Sequence, residues 1–96
     1  MPYIKQDRRT RINKLLDEVI SEITCQNNFD YDGELNYAIS YLVATAFGPI
    51  WRYHYIARAI SVFECAKLEF YRRIAAPYED KAIAKNGDIT PYEKTK

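Results

Sequence analysis

The amino-acid sequence predicts an all-α protein, a three-helix domain with a long third helix that is kinked at Pro77 and assembled as a homo-oligomer. Three observations predict this class. The 96-residue chain has only three glycines and four prolines, too few for the many turns of a sheet protein. Its hydrophobic fraction of 48% and charged fraction of 28% are typical of an ordered globular domain. Apolar residues also recur at helical spacing in three successive segments.

The first helix is predicted from about Asp7 to Cys25. One face of it is apolar and the opposite face is polar, which is typical of a helix packed on a core. The apolar face is formed by Ile12, Leu15, Leu16, Val19, Ile20 and Ile23. The polar run Gln26–Asn28 then ends the pattern, and Phe29–Gly33 is predicted to form a loop.

The second helix is predicted from Gly33 to Phe47, with Asp30 or Asp32 as its N-cap and Gly48-Pro49 as its end. Residues 35–51 contain no charged side chain. Such a stretch is at the lower limit of length for crossing a bilayer. Several polar residues interrupt it, however, and the chain has no comparable second stretch. We therefore expect a buried core helix rather than a membrane span.

The third segment, Trp51–Asn86, carries the widest apolar face of the chain. Its apolar positions are Tyr55, Ile56, Ala59, Ile60, Val62, Phe63, Cys65, Ala66, Leu68, Phe70 and Ile74. Pro77 removes a backbone donor and should kink the helix near Arg73, or else begin a separate short helix. Asn86-Gly87 is a good C-terminal stop.

The length of this third segment favours self-association. A helix of that length extends about 54 Å at 1.5 Å per residue, whereas a compact domain of this size is about 32 Å across. Either the helix breaks at Pro77 or its far half packs on a neighbouring subunit, and the wide apolar face favours the neighbour. Residues 1–87 are thus predicted to form one helical domain, followed by a polar tail without helix at residues 88–96.

The two cysteines, Cys25 and Cys65, fit no metal-ligand spacing and are expected to be small core residues. The chain begins with a polar, basic stretch instead of the apolar core of a signal peptide. These features favour a cytoplasmic protein with reduced thiols.

Charge is segregated along the chain although the net charge is only +1. Residues 1–14 contain five basic side chains and one acidic one, whereas residues 15–34 contain six acidic side chains and no basic one. Residues 52–73 are again basic, with five positive and two negative side chains. Nucleic-acid binding needs a net basic face, so the layout fits better with subunits docking on each other or with a concentrated basic pocket.

Residues for catalysis are sparse. His54 is the only histidine, no nucleophile motif surrounds any serine, and zinc binding fails on ligand count. A phosphate-binding loop fails because no glycine-rich stretch exists. We therefore expect a protein that is not an enzyme, with no metal and no cofactor, and an exposed or tuned His54 at a helix start.

Aromatic and basic residues remain as candidates for ligand binding. Arginine can bind phosphate by donating two parallel hydrogen bonds, and tyrosine offers a stacking surface with a hydroxyl group. In a symmetric oligomer such residues could converge from different subunits. The alternative is that the tyrosines only pack and the arginines are solvated. The candidate ligand-binding residues are Asn36, Tyr37, Arg58, Tyr71, Arg72, Arg73 and Tyr78.

Four stretches resemble a family of short helical proteins found in phages and in bacterial and archaeal genomes. They are Met1–Ile4, Gly33–Tyr37, the run from Lys67 through Arg73 and Pro77 to Lys81, and Asn86–Asp88. The resemblance covers most of the chain, and it implies a phage or mobile-element setting without implying an activity.

A fainter resemblance concerns the third segment. Its residues Arg52, Ile56-Ala57-Arg58, Leu68, Arg72 and Pro77 are similar to the long helix of small helical phage proteins that sequester cyclic-nucleotide immune signals. Those proteins form hexamers with pockets between subunits. This resemblance implies a non-enzymatic, anti-defence protein that sequesters a cyclic or otherwise phosphorylated nucleotide. The alternative is a protein-interaction or assembly module with no small-molecule ligand.

Overall fold

A computed structural model describes residues 2–25 and 29–93, and within them every regular element is a helix. This confirms the predicted all-α class. The elements are α1 (Gln6–Ile23), α2 (Asp32–Phe47), α3 (Tyr53–Phe70), a π-helical segment (Tyr71–Ala75), α4 (Ala76–Asn86) and α5 (Thr90–Glu93). The chain forms two compact units, Met1–Ser61 and Val62–Lys96. The predicted boundary at residue 87 stays a prediction.

Helix α1 has nearly the predicted bounds, and its apolar stripe gives it an amphipathic surface. Only Ile23 of that stripe is buried. Leu15 is the most exposed member, at 65%. The predicted break at Gln26–Asn28 lies outside the described residues.

Helix α2 begins one residue earlier than predicted and ends where predicted, at Phe47. Tyr31 occupies the N-cap and Asp32 is the first helical residue, so the prediction of an aspartate cap was wrong. The negative charges of Asp32 and Glu34 instead lie in the first turn, where they interact favourably with the helix dipole. The Gly48 N–H donates to the Ala44 carbonyl at 2.8 Å and closes the last turn.

The third segment is divided by a π-helical stretch. The Ala76 N–H donates to the carbonyl of Tyr71, five residues earlier. Pro77 stands in the first turn of α4, and its ring would clash with the carbonyl of Arg73 in a regular α-helix. A wider π turn relieves this clash. The structure thus has a π segment where the sequence predicted a kink, and a separate α4 as in the alternative prediction.

The C-terminal stop of α4 is confirmed, but the prediction of a tail without helix was wrong. Helix α4 ends at Asn86, and Gly87 has a φ of 90°, a conformation that glycine tolerates best. Residues Thr90–Glu93 then form the short α5. Pro91 lies in its first turn, where a proline costs no hydrogen bond and its fixed φ favours a helix.

The chain by itself buries very little apolar surface. Within the described residues the buried hydrophobic side chains are Ile23 and Ala59, at 7% and 9% exposure. Helix α2 contains no buried residue, so the expectation of a buried core helix was wrong for the single chain. The same holds for Cys25 and Cys65, which are both exposed. Within the described part of the chain, no helix is both long and apolar enough to cross a membrane.

Candidate functional site

A pocket of about 490 Å³ lies where the chain passes from α2 to α3. We call it the basic pocket. Its lining residues are Ala46, Phe47, Gly48, Pro49, Ile50, Arg52, Tyr55 and Arg58. All of them belong to the first unit.

Among the described residues, the lining of the basic pocket includes two arginines and no acidic side chain. The Arg58 guanidinium carbon lies 5.2 Å from the centroid of the Phe47 ring, a distance at which the ring face attracts the cation. Arg52 immediately precedes α3, and its carbonyl accepts hydrogen bonds from the N–H groups of Tyr55 and Ile56, both at 3.0 Å. The pocket therefore combines two positive charges with the positive end of the α3 dipole.

The wall of this pocket depends on Gly48. A Cβ atom at this position would lie 2.8 Å from the Ala44 carbonyl oxygen and 3.0 Å from the Trp51 ring. Because the first of these neighbours is backbone, it cannot move aside cheaply. Glycine is thus the residue that lets the chain turn closely against the end of α2, and the Gly48-Pro49 peptide bond there is cis.

A second cavity, of about 660 Å³, lies between α1 and α2 in the same unit. We call it the α1–α2 groove. Its lining residues are Glu18, Val19, Glu22, Ile23, Gly33, Glu34, Tyr37, Ala38, Tyr41 and Leu42. Its described lining thus combines apolar and aromatic side chains with three carboxylates and no basic residue. The Tyr37 and Tyr41 rings lie 6.0 Å apart on its α2 side.

In the second unit the π segment is linked to α4 by a side-chain hydrogen bond. The Tyr71 hydroxyl donates to Glu79 Oε1 at 2.6 Å. This hydrogen bond to a carboxylate raises the pKa of Tyr71 above its usual 10.0, and the negative charge of the same carboxylate is the second-largest cause. Arg72 forms an ion pair with Glu69. Since that carboxylate partly neutralises the guanidinium, Arg72 is a weaker phosphate ligand than an arginine without an acidic neighbour.

The structure distributes the seven predicted ligand-binding residues over several places. Arg58 lines the basic pocket and Tyr37 lines the α1–α2 groove. The Asn36 Oδ1 atom accepts a hydrogen bond from Ser40. The remaining four, Tyr71, Arg72, Arg73 and Tyr78, lie in the second unit.

Of the polar side chains that line the basic pocket, Arg52 and Tyr55 were not among the predicted candidates. A signal was present, because Arg52, Tyr55 and Arg58 are spaced by three residues directly after a Gly-Pro turn. That spacing places an aromatic side chain between two arginines around one helix start. His54 is exposed as expected, and its ring centroid lies 4.1 Å from that of Tyr55.

The fold and the basic pocket together define a small all-helical protein with a cationic cavity. In the described residues no group of histidine, cysteine and carboxylate side chains is arranged to hold a metal ion. Residues 1–89 match a family described as a domain of unknown function, DUF6899. The chain therefore belongs to this family. Neither the curated proteins nor the solved structures gave a match.

Proposed function

We propose that this protein is a non-enzymatic homo-oligomer that binds a phosphate-bearing small molecule in the basic pocket. The observation that carries this proposal is the presence of Arg52 and Arg58 in one cavity without an acidic lining residue. Two arginines in a cavity whose described lining has no carboxylate favour an anionic ligand. The volume of about 490 Å³ falls within the usual range of small-molecule sites.

The lining also indicates what else the ligand carries. Phe47, Tyr55 and Ile50 offer flat or apolar surface beside the two guanidinium groups, which suits a molecule with both a ring system and a phosphate. A nucleotide has this combination. The narrower reading, a phage anti-defence protein that sequesters a nucleotide-type immune signal, is supported by the resemblance of the third segment described above.

Self-association is supported by the apolar side chains that the first unit leaves exposed. Among its described residues, Leu15 is 65% exposed, and Tyr37 and Tyr41 are 69% and 58% exposed. Exposed apolar patches mark protein-binding surfaces, so a second subunit is expected to cover them.

The ligand proposal is tested by isothermal titration calorimetry. The wild-type protein is titrated with cyclic dinucleotides, cyclic trinucleotides, ADP-ribose isomers and inorganic phosphate. Binding of a nucleotide that is reduced about 10-fold or more by Arg58→Ala and by Arg52→Ala is the expected result. Lys85→Ala, which removes a positive charge from α4, serves as the control and should bind as wild type. An absence of heat with every compound contradicts the ligand proposal.

Arg72→Ala and Arg73→Ala decide whether the second unit contributes. If the ligand contacts only the basic pocket, both variants bind as wild type. A loss of affinity comparable to that of Arg58→Ala would instead support the predicted ligand-binding residues of the π segment.

An assembly module without a small-molecule ligand is the second candidate function. It is favoured by the exposed aromatic side chains of α2, where Tyr37 and Tyr41 are 69% and 58% exposed. Exposed apolar patches of this kind mark protein-binding surfaces. If the assembled oligomer still binds a hydrophobic dye strongly, this second reading gains support, and a uniformly polar assembled surface counts against it.

A further inference from the structure

We infer that a second copy of this chain occupies the α1–α2 groove, and that it docks by pairing its α1 antiparallel to the α1 of the first copy. This inference rests on the self-association proposed above and names the surface that mediates it. The groove offers apolar and aromatic side chains with acidic ones and no basic one. An amphipathic helix that carries apolar and basic residues is the complementary occupant.

The chain contains such a helix in the N-terminal half of α1. Arg8 and Arg11 lie there, one turn before Ile12 and Leu15. Residues seven apart on a helix differ by only about 20° around its axis. Five exposed residues of α1 therefore follow one line along its surface at alternating spacings of three and four. We call them the α1 row: Arg8, Arg11, Leu15, Glu18 and Glu22.

The order of charges in the α1 row selects the direction of pairing. Leu15 stands in the middle, with Arg8 about 10 Å to one side and Glu22 about 10 Å to the other at 1.5 Å per residue. A twofold axis through Leu15 places Arg8 opposite the partner's Glu22 and Arg11 opposite the partner's Glu18, and each pair occurs twice by symmetry. A parallel arrangement would place arginine opposite arginine, which is repulsive.

The α1–α2 groove and the α1 row share residues. One docked copy can therefore fill the groove and pair with the row at the same time. Glu18 and Glu22 belong to the row and also line the groove, where Val19 lies between them in sequence. Leu15 is 65% exposed in the chain and would be covered by the Leu15 of the second copy. Glu34, at the start of α2, adds a third carboxylate beside the incoming basic half of α1.

Charge reversal tests this inference. One variant carries Arg8→Glu and Arg11→Glu, and a second carries Glu18→Lys and Glu22→Lys. Each should weaken self-association by about 100-fold, because every cross-pair becomes repulsive in both symmetry copies. An equimolar mixture of the two variants should associate again, since one α1 is then wholly acidic and the other basic along the row. The readout is the dissociation constant from sedimentation equilibrium.

A matched control exchanges charges on α1 outside the row. Lys14→Glu combined with Asp17→Lys leaves the row intact and should associate as wild type. If both row variants also associate as wild type, the α1 pairing is overturned while the proposed self-association stands. If the wild-type protein is a monomer at about 100 μM, the proposed self-association fails, and the pairing fails with it.

If a row variant loses its helical circular dichroism, the α1 pairing is tested on the wild-type protein instead. Its dissociation constant should then rise about 10-fold or more between about 50 and 500 mM salt, because salt screens ion pairs at an interface. A dissociation constant that does not change with salt overturns the pairing.

Discussion

Leu15→Ala separates the stability of the single chain from that of the oligomer. In the single chain, Leu15 is 65% exposed, so its truncation removes little buried apolar surface from the protomer. In the antiparallel α1 pair the same side chain lies on the twofold axis and is covered by its symmetry mate. The substitution should therefore weaken association while leaving the helical content of the protomer unchanged.

The expected loss of association free energy follows from the exposed fraction of Leu15. Full burial of a leucine side chain is worth about 1.5–3 kcal/mol, and about two thirds of that remains to be gained when Leu15 is covered. Each dimer loses the contribution twice, so the total is about 2–4 kcal/mol. Since each 1.4 kcal/mol changes an equilibrium constant tenfold, the dissociation constant should rise about 30- to 1,000-fold.

Sedimentation equilibrium between about 1 and 100 μM measures this change. Asn13→Ala is the control, because Asn13 is exposed on the same helix but lies outside the α1 row, so its truncation should leave the dissociation constant unchanged. Ile23→Ala is the opposite case, since Ile23 is 7% exposed and its loss should destabilise the protomer by about 2–5 kcal/mol at every concentration. A dissociation constant for Leu15→Ala within threefold of wild type would refute the reasoning.

Three further outcomes are expected. Dilution by about 100-fold should lower the urea midpoint of the wild-type protein, because dissociation is part of unfolding in an oligomer; a midpoint independent of concentration contradicts self-association. Glu79→Gln should bring the pKa of Tyr71 back towards 10.0, as followed by ¹³C NMR of the tyrosine ring. In the wild type, the neutral Tyr71 hydroxyl keeps its stabilising hydrogen bond below pH 10. This stabilisation is lost as the pH rises through the pKa of Tyr71 in the folded state. Gly48→Ala should destabilise the protein by about 1–3 kcal/mol in urea unfolding, because the added Cβ meets the Ala44 carbonyl; a neutral effect contradicts the close approach at that turn.

The helices were predictable where local chemistry decides them. The end of α2 at Phe47 and that of α4 at Asn86 follow from Gly48-Pro49 and Gly87, because proline lacks a donor and glycine tolerates a positive φ. The period of the apolar residues was enough to find α1. These signals lie within a few residues of the feature that they predict, so a single sequence reveals them.

Features that depend on distant residues were less predictable. Helix α5 was missed because residues 88–96 are polar and contain Pro91, although the first turn of a helix accommodates proline. The buried α2 was expected from its lack of charge, but burial depends on what covers a helix and not on its own composition. The basic pocket was only partly found, since Arg58 stood among the candidates while Arg52 and Tyr55 did not. Their spacing was visible in the sequence, but the path of the turn at Gly48-Pro49, which brings them into one pocket with Phe47, was not.

The proposed ligand and the proposed assembly are connected by thermodynamic linkage. The described residues that line the basic pocket all fall within residues 46–58 of one chain, so a protomer with a disrupted α1 row should still bind one ligand. If a neighbouring subunit also stabilises the ligand-bound state of the pocket, ligand binding and subunit association are linked. Ligand binding must then strengthen association by the same factor by which association strengthens ligand binding. Measuring the dissociation constant of the ligand by calorimetry, in the wild type and in the Arg8→Glu, Arg11→Glu variant, therefore distinguishes two arrangements. Equal ligand affinity in both proteins means that the pocket works within one chain, and a loss of affinity in the dissociated variant means that a second subunit completes it.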